Sequence, residues 1–236
     1  MHWADYTAQR LMERGDEQVS ASGITPSGEF HIGHLREILS AEMIHRACLD
    51  AGMSSKYIFI VDSMDPLRRV YDFLSPEYEE FIGCPLAYIP APDEDGSPGD
   101  GSVTYADHFL SPFLDSLEQI GVRPEVVMNH ETYERGLFAE YIDSAITNRE
   151  EIRSIIQQIS GRELPHDWFP YNPMGSGGSM DGVTVTGYEK PYVVWRDSSG
   201  NEGKSDIRKA HGKMPWRVDW AARWVIHGIT CEPAGK

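Results

Sequence analysis

The sequence predicts an α/β fold built on a doubly wound parallel sheet, and three observations carry that expectation. Two apolar runs, Tyr57-Ile58-Phe59-Ile60-Val61 and Val126-Val127-Met128, have the unbroken hydrophobicity of strands buried on both faces. Each follows an amphipathic helical stretch that stops at a glycine, Gly52 and Gly121. The first of these helices opens from a glycine-containing turn after a strand, which is where parallel sheets bind their ligands.

Taken in order, Tyr6 to Arg14 suits a short helix ended by Gly15, and Gln18 to Ser22 a weak strand. Thr25 precedes Pro26, whose ring pushes it toward extended geometry, so Thr25 closes the strand. In the turn Pro26-Ser27-Gly28, Gly28 is free to take a left-handed conformation. His31 and His34 share one face of the first helical turn, and Gly33 between them leaves room for a flat ligand against the backbone. Free N–H groups and the positive dipole end favour an anion there, so two imidazoles at this point make a phosphate clamp. A His-x-x-His pair also fits an ordinary surface position; the strand and turn before it favour the clamp. From His34 to Ala51, Leu35, Ile38, Leu39, Met43, Ile44 and Ala47 form an apolar stripe, with Arg36, Glu37, Glu42 and Arg46 mostly off it.

Asp62 and Asp65 follow the second strand directly. They fit a contact to a cationic group at the strand end, and equally the turn and cap roles in which most such residues serve. Arg68 and Arg69 stand near enough in sequence to pair with them. Residues 85–102, rich in Pro, Gly, Asp and Ser, read as a surface excursion. Tyr105 to Ile120 reads as a helix, with Pro112 marking a kink or a start near Ser111, and Val126 to Met128 as a third buried strand. After Tyr133 the alternation breaks. One long helical pattern runs to about Ser160, then a Pro- and aromatic-rich stretch, a flexible tip at Gly175 to Ser179, and strands at 183–186 and 192–195 joined to a turn at 197–203. Residues 133–209 are therefore expected to be a helical and β-hairpin insertion between a first nucleotide-binding half, 1–132, and a return segment, 210–236. In the latter, Trp220 and Trp224 are four apart and expected to stack as core. Trp216 precedes the helix, free to wall an aliphatic chain, and Arg217, Asp219 and Arg223 are placed to pair.

The net charge of −16, from 21 basic and 37 acidic residues, excludes a generic RNA-coating protein, whose phosphate contacts rest on Lys and Arg. No apolar run is long enough to cross a bilayer, and Met1-His2-Trp3-Ala4-Asp5 is no signal peptide. Cys48, Cys84 and Cys231 are scattered, which fits neutral thiols in a reducing compartment and argues against a sulfur-based zinc site. A cytoplasmic location is expected, with no membrane or DNA partner.

Three stretches, in this order, resemble class I lysyl-tRNA synthetases: His2-Trp3-Ala4-Asp5-Tyr6, then G-I-T-P-S-G-E-F-H-I-G-H from Gly23 to His34, then W-R-V-D-W-A-A-R-W from Trp216 with E-P-A-G-K at the end. The resemblance covers essentially the whole chain. It implies a Rossmann-like catalytic region of the HIGH-motif type that activates lysine with ATP and passes it to tRNA(Lys). It further implies that His31 and His34 act on the ATP phosphates and that Pro26, Ser27, Gly28 and Gly33 line the ATP site. Lysine would be held by Gly23, Thr25 and Trp216, with Asp62 as a weaker choice, and Mg²⁺ would accompany the triphosphate. The departures are equally plain. No K-M-S-K-S loop is present, and Lys213-Met214, followed by Pro215 and Trp216, does not replace it. The Asp-His pair that follows G-K in the family is absent, as are its Cys-rich knuckles, whose place reads Asn172 to Gly177, so no zinc is expected. These departures imply part of a longer enzyme; the alternative is a paralogue that binds ATP or lysine without chemistry.

Overall fold

The computed structural model describes residues 1–233; the last three residues of the Glu232-Pro233-Ala234-Gly235-Lys236 motif lie outside the described residues. A parallel sheet holds the centre, with strands β1 (Glu17–Ile24), β2 (Ser54–Val61) and β3 (Glu125–Met128) in the order β1-β2-β3. β1 and β2 pair without a slip from Glu17↔Ser54 to Ile24↔Val61. Side chains of β2 alternate between two cores, as the pleat requires. Tyr57, Phe59 and Val61 pack with Ile38 and Ala41 of α2 (Ile32–Asp50) and with Leu110, Phe113 and Leu117 of α3 (Tyr105–Gln119). Ile58 and Ile60 face the other way, onto Ala21, Ile229 and the half-buried Trp224 of α7 (Trp216–Ile226). α1 (Trp3–Met12) covers α2 from outside through Ala4, Ala8 and Leu11 against Ile44, Ala47 and Cys48.

After α7 the chain returns to the sheet on the free side of β1. Cys231 bridges Ser20 in parallel, and the Ala21 N–H donates to the Cys231 carbonyl at 2.9 Å. β1 thus has β2 on one side and the returning segment on the other, with helices on both faces. The crossovers leave it in opposite directions, so β1 is the topological switch point, and the ligand crevice lies at its carboxyl end.

The remaining elements refine the expectations. β3 is an edge strand with Glu125 and Val126 exposed, not a fully buried one. α3 runs through Pro112 from its Thr104 cap; Pro112 faces solvent, so its ring meets no packed neighbour there, and Ser116 Oγ donates back to its carbonyl at 2.8 Å. The expected long helix is two, α5 (Ala139–Thr147) and α6 (Arg149–Ser160), and a short helix α4 (Asn129–Glu134) stands before them. Gly136, at φ +71°, breaks the first junction, where a Cβ would stand 2.9 Å from the Arg208 carbonyl oxygen. Asn148 breaks the second. The stretch 85–102 is not a loose excursion: Leu86, Ala87, Ile89 and Ala91 are buried, and the chain is pinned by bridges Pro90↔Thr104 and Pro92↔Pro98. The 175–179 tip is tethered as well. Ser179 Oγ donates to the Ile82 carbonyl at 2.8 Å, Met180 N–H to the Gly83 carbonyl at 2.8 Å, and Ser176 Oγ to Asp197 at 2.7 Å.

Beyond the helices, β4 (Asn172–Pro173) pairs with β8 (Gly212–Lys213), and β5 (Thr184–Glu189), β6 (Tyr192–Arg196) and β7 (Glu202–Asp206) form an antiparallel sheet. Their core, including Phe138, Ile142, Tyr171 and Val193, is continuous with Met214 and Ala222 of the return segment. Among the described residues no helix is long and apolar enough to cross a membrane.

Candidate active site

The turn after β1 delivers two imidazoles to the start of α2. His31 is the N-cap, and its Nδ1 accepts the Gly33 N–H at 3.0 Å. His34 Nδ1 reaches back to accept the His31 N–H at 3.1 Å. This reciprocal cap uses two histidines where Ser and Glu are usual. The rings stack with centroids 4.0 Å apart. Because both Nδ1 atoms accept, each neutral ring carries its proton on Nε2. Two N–H donors are therefore available without any positive charge. Burial, and then the neighbouring His31, lower the pKa of His34 and favour that neutral form.

Both rings open onto a cavity of about 980 Å³, which Ser27, Gly28, Phe73, Asp95 and His108 also line. The 85–102 segment supplies one wall of it, through Pro92 to Gly96. Pro26 is buried beneath the turn and does not line the cavity. Gly28 does not take a positive φ, contrary to expectation; its lack of a side chain admits the Phe73 ring, 3.4 Å from where a Cβ would be. The space over Gly33 is filled by the His31 ring, since a Cβ there would lie 2.7 Å from Cε1. Gly33 therefore seats the cap.

The second half of the site lies at Gly23, beside the returning segment. A Cβ on Gly23 would stand 3.8 Å from both Asp62 Oδ2 and Glu232 Oε1. Glu232 Oε2 accepts from the indole N–H groups of Trp220, at 2.9 Å, and Trp224, at 2.8 Å. Trp216 is the first residue of α7, half exposed, and stacks on Trp220 with centroids 6.0 Å apart. Trp220 and Trp224 meet edge to face and remain only partly buried, short of the core stack expected. Glu37, on the first turns of α2, is half-buried; burial pushes its carboxyl up, with Glu232 and Asp62 adding to the effect and the Gly23 N–H opposing it. The carboxylates of Glu37, Asp62 and Glu232 thus gather at Gly23, with a cation among them, Arg223 Nη1, 3.5 Å from the same Cβ position.

Asp62 and Asp65 are both buried, and their partners differ from those the sequence offered. Arg223, 1% exposed, pairs with Asp62 and with Asp219 through separate nitrogens. Lys213, 3% exposed, pairs with Asp65. Arg68 only skirts Asp65 at 4.0 Å, and Arg69 lies over the Tyr71 ring. Tyr133 completes the cluster: its hydroxyl donates to Asp219 at 2.5 Å and accepts the Met214 N–H at 3.0 Å. Burial pushes the Asp62 carboxyl up to about 6, with Arg223 pulling the other way. Burial opposes the charge on Lys213, yet Asp219, Asp65 and Asp62 hold its pKa above the ordinary value. Thr25 Oγ1 donates to the other oxygen of Asp65 at 2.8 Å. Sequence reasoning missed Glu37, Glu232 and Lys213 as members of the site. The four-residue spacing of Asp219 and Arg223 announced their pair, but nothing local announced Asp62 as the third member.

The fold and this site define an α/β unit with a His-x-x-His helix start after its first parallel strand and a group of carboxylates and tryptophans at Gly23 next to it. The chain belongs to the family described as tRNA synthetases class I (K), whose model matches residues 1–236. It is 41% identical over 237 residues to the lysine–tRNA ligase of Picrophilus torridus, covering all of this chain and 45% of that protein. It is 42% identical to the lysine–tRNA ligase of Archaeoglobus fulgidus, covering 47% of it, and 41% identical to that of Methanocaldococcus jannaschii, covering 44%. The chain spans about half the length of these relatives.

Proposed function

We propose that this chain is the ATP- and lysine-binding part of a class I lysine–tRNA ligase, acting within a longer protein in the cytoplasm. The observation that carries the reading is the stacked pair His31 and His34, both Nδ1 atoms committed to the helix cap, facing a cavity large enough for a nucleotide. Their Nε2–H groups, with the dipole of α2, serve as donors to the triphosphate, and Ser27 and Gly28 line its path. Gly23, Thr25 and Trp216 hold lysine. Glu37 is a better acceptor for its side-chain ammonium than Asp62, whose carboxylate is occupied by Arg223.

A lysine carboxylate oxygen attacks the α-phosphorus, pyrophosphate leaves, and the adenylate is then attacked by a ribose hydroxyl of the tRNA(Lys) terminal adenosine, releasing AMP. The protein contributes alignment and neutralisation of charge. Mg²⁺ is expected to accompany the triphosphate as its counter-charge. Residues 133–209 are the insertion between the two halves of the catalytic unit.

Lysine-dependent ATP–pyrophosphate exchange by the full-length protein tests this reading. Exchange is expected with lysine alone among the amino acids and falls at least tenfold in His34→Ala; unchanged exchange in that variant overturns the assignment. A second reading, ligand binding without chemistry, is favoured by the burial of Lys213, which keeps it from a triphosphate. ATP and lysine binding with no exchange would decide for it.

A further inference from the structure

Lys213 and Asp65 form an ion pair sealed from solvent, and among the described residues Thr25 is the only neutral side chain bonded to it. A carboxylate facing an ammonium has no proton of its own to give, so in the Thr25–Asp65 bond the hydroxyl must be the donor. A threonine hydroxyl has one proton and two lone pairs. With the proton spent on Asp65, only the lone pairs remain for a ligand at the carboxyl end of β1. A hydroxyl fixed in this way welcomes a donor and repels an acceptor. An amino acid offers one of each at its α-carbon, an ammonium and a carboxylate.

We infer that Lys213 and Asp65 are positioning residues that lock Thr25 as a hydrogen-bond acceptor and so orient the amino acid with its α-ammonium toward Thr25. This rests on the proposed lysine site. The orientation leaves the α-carboxylate directed away from the buried acids, free to meet the nucleotide. Lys213, which arrives on β8 after the whole 133–209 stretch, thereby sets the polarity of a hydroxyl on the first strand without touching the ligand.

Calorimetric titration of the full-length protein with L-lysine and with 6-aminohexanoate, which lacks only the α-ammonium, tests the inference. Lys213→Met removes the cation that commits Asp65 to accepting from Thr25 and so frees the Thr25 hydroxyl to turn. Lysine is then expected to bind about 10–100-fold more weakly, the range of a lost charge-assisted hydrogen bond, with 6-aminohexanoate unchanged. Asp65→Asn, of the same shape and able to donate to Thr25, gives the same selective loss should Lys213→Met fold poorly. Thr25→Val shares it, and Thr25→Ser restores lysine binding. Equal weakening for both ligands, or full lysine affinity in Asp65→Asn, overturns the inference while leaving the lysine site standing. An unaltered protein that fails to bind lysine overturns both, and it does so before any substitution is made.

Discussion

Replacing Arg223 by methionine is the sharpest test of how this fold is held together. The guanidinium is 1% exposed and joins Asp62, at the end of β2, to Asp219 on its own helix. Burial opposes its charge, but Asp219 and Asp62 hold its pKa above the ordinary value. A methionine fills most of the same volume, so little of the loss is cavity. What remains is the buried carboxylates of Asp62 and Asp219 with Lys213, already paired with Asp65, as the nearby cation among the described residues. Removing one partner of a buried pair costs about 3–5 kcal/mol, chiefly from the charge left behind. At this chain length each kcal/mol moves the melting temperature by about 2–4 °C, so the melt falls by about 6–20 °C. Urea unfolding at pH 8 measures the loss directly. The same titration at pH 5 discriminates causes, because the abandoned carboxylates take up protons and the deficit shrinks. A loss below about 1 kcal/mol at pH 8, or a deficit that does not change with pH, refutes the claim that Arg223 neutralises these acids.

Gly83, at φ +84°, has Ser179 Oγ 2.1 Å and the Asp181 N atom 2.9 Å from where a Cβ would be, so Gly83→Ala is expected to cost roughly 1–3 kcal/mol by thermal melt. Glu37→Gln keeps its shape but removes one negative charge from the carboxylates at Gly23; on the proposed function, lysine affinity is expected to fall about 10-fold or more with ATP affinity unchanged, both read by calorimetry. Burial lowers the pKa of His34, His45 and His227 below the ordinary 6.5. Their contribution to stability is therefore complete above about pH 6.5 and lost as pH falls through the lowered values, so melting temperature declines from pH 7 toward 5. Asp62 runs the opposite way: with its carboxyl raised from 3.8 to about 6, its share is full below 3.8 and lost as pH rises through about 6, so Asp62→Asn steepens the net acid decline. Since protonation of His34 at Nδ1 also breaks the cap on α2, ATP binding is expected to be level from pH 7 to 8.5 and to weaken as pH falls through the lowered His34 value; tighter binding in acid would show that charge, not the neutral donors, holds the phosphates.

The β1–α2–β2 unit was legible because its signals are local: an unbroken apolar strand, a 3.6-residue stripe, a glycine stop. His31 and His34 were legible because three-residue spacing at a helix start fixes a shared face. The reciprocal cap was not, since it depends on which nitrogen each ring turns inward. The 85–102 stretch misled because its Pro, Gly and Asp content is that of a surface loop, whereas Leu86, Ile89 and Ala91, spaced between the turns, anchor it. Gly136 stood in plain view within the supposed long helix, but the carbonyl of Arg208 that excludes a side chain there comes from more than seventy residues away. The burial of Lys213 and Arg223 was illegible for the same reason, although the Asp219–Arg223 spacing was not: whether a charge is buried is decided by what folds over it.

The segment at Thr230 and Cys231 bonds to Val19 and Ala21 across a sequence separation of 211 residues in the case of Thr230 and Val19. Glu232 reaches Gly23 only through this return, so the carboxylates gathered there come together only when the far end of that loop is in place. The two histidines need only β1, α2 and their immediate neighbours. A nascent chain can therefore close the histidine cap on α2 early, from neighbours in sequence, whereas the acidic group at Gly23 waits for a contact between distant parts of the chain.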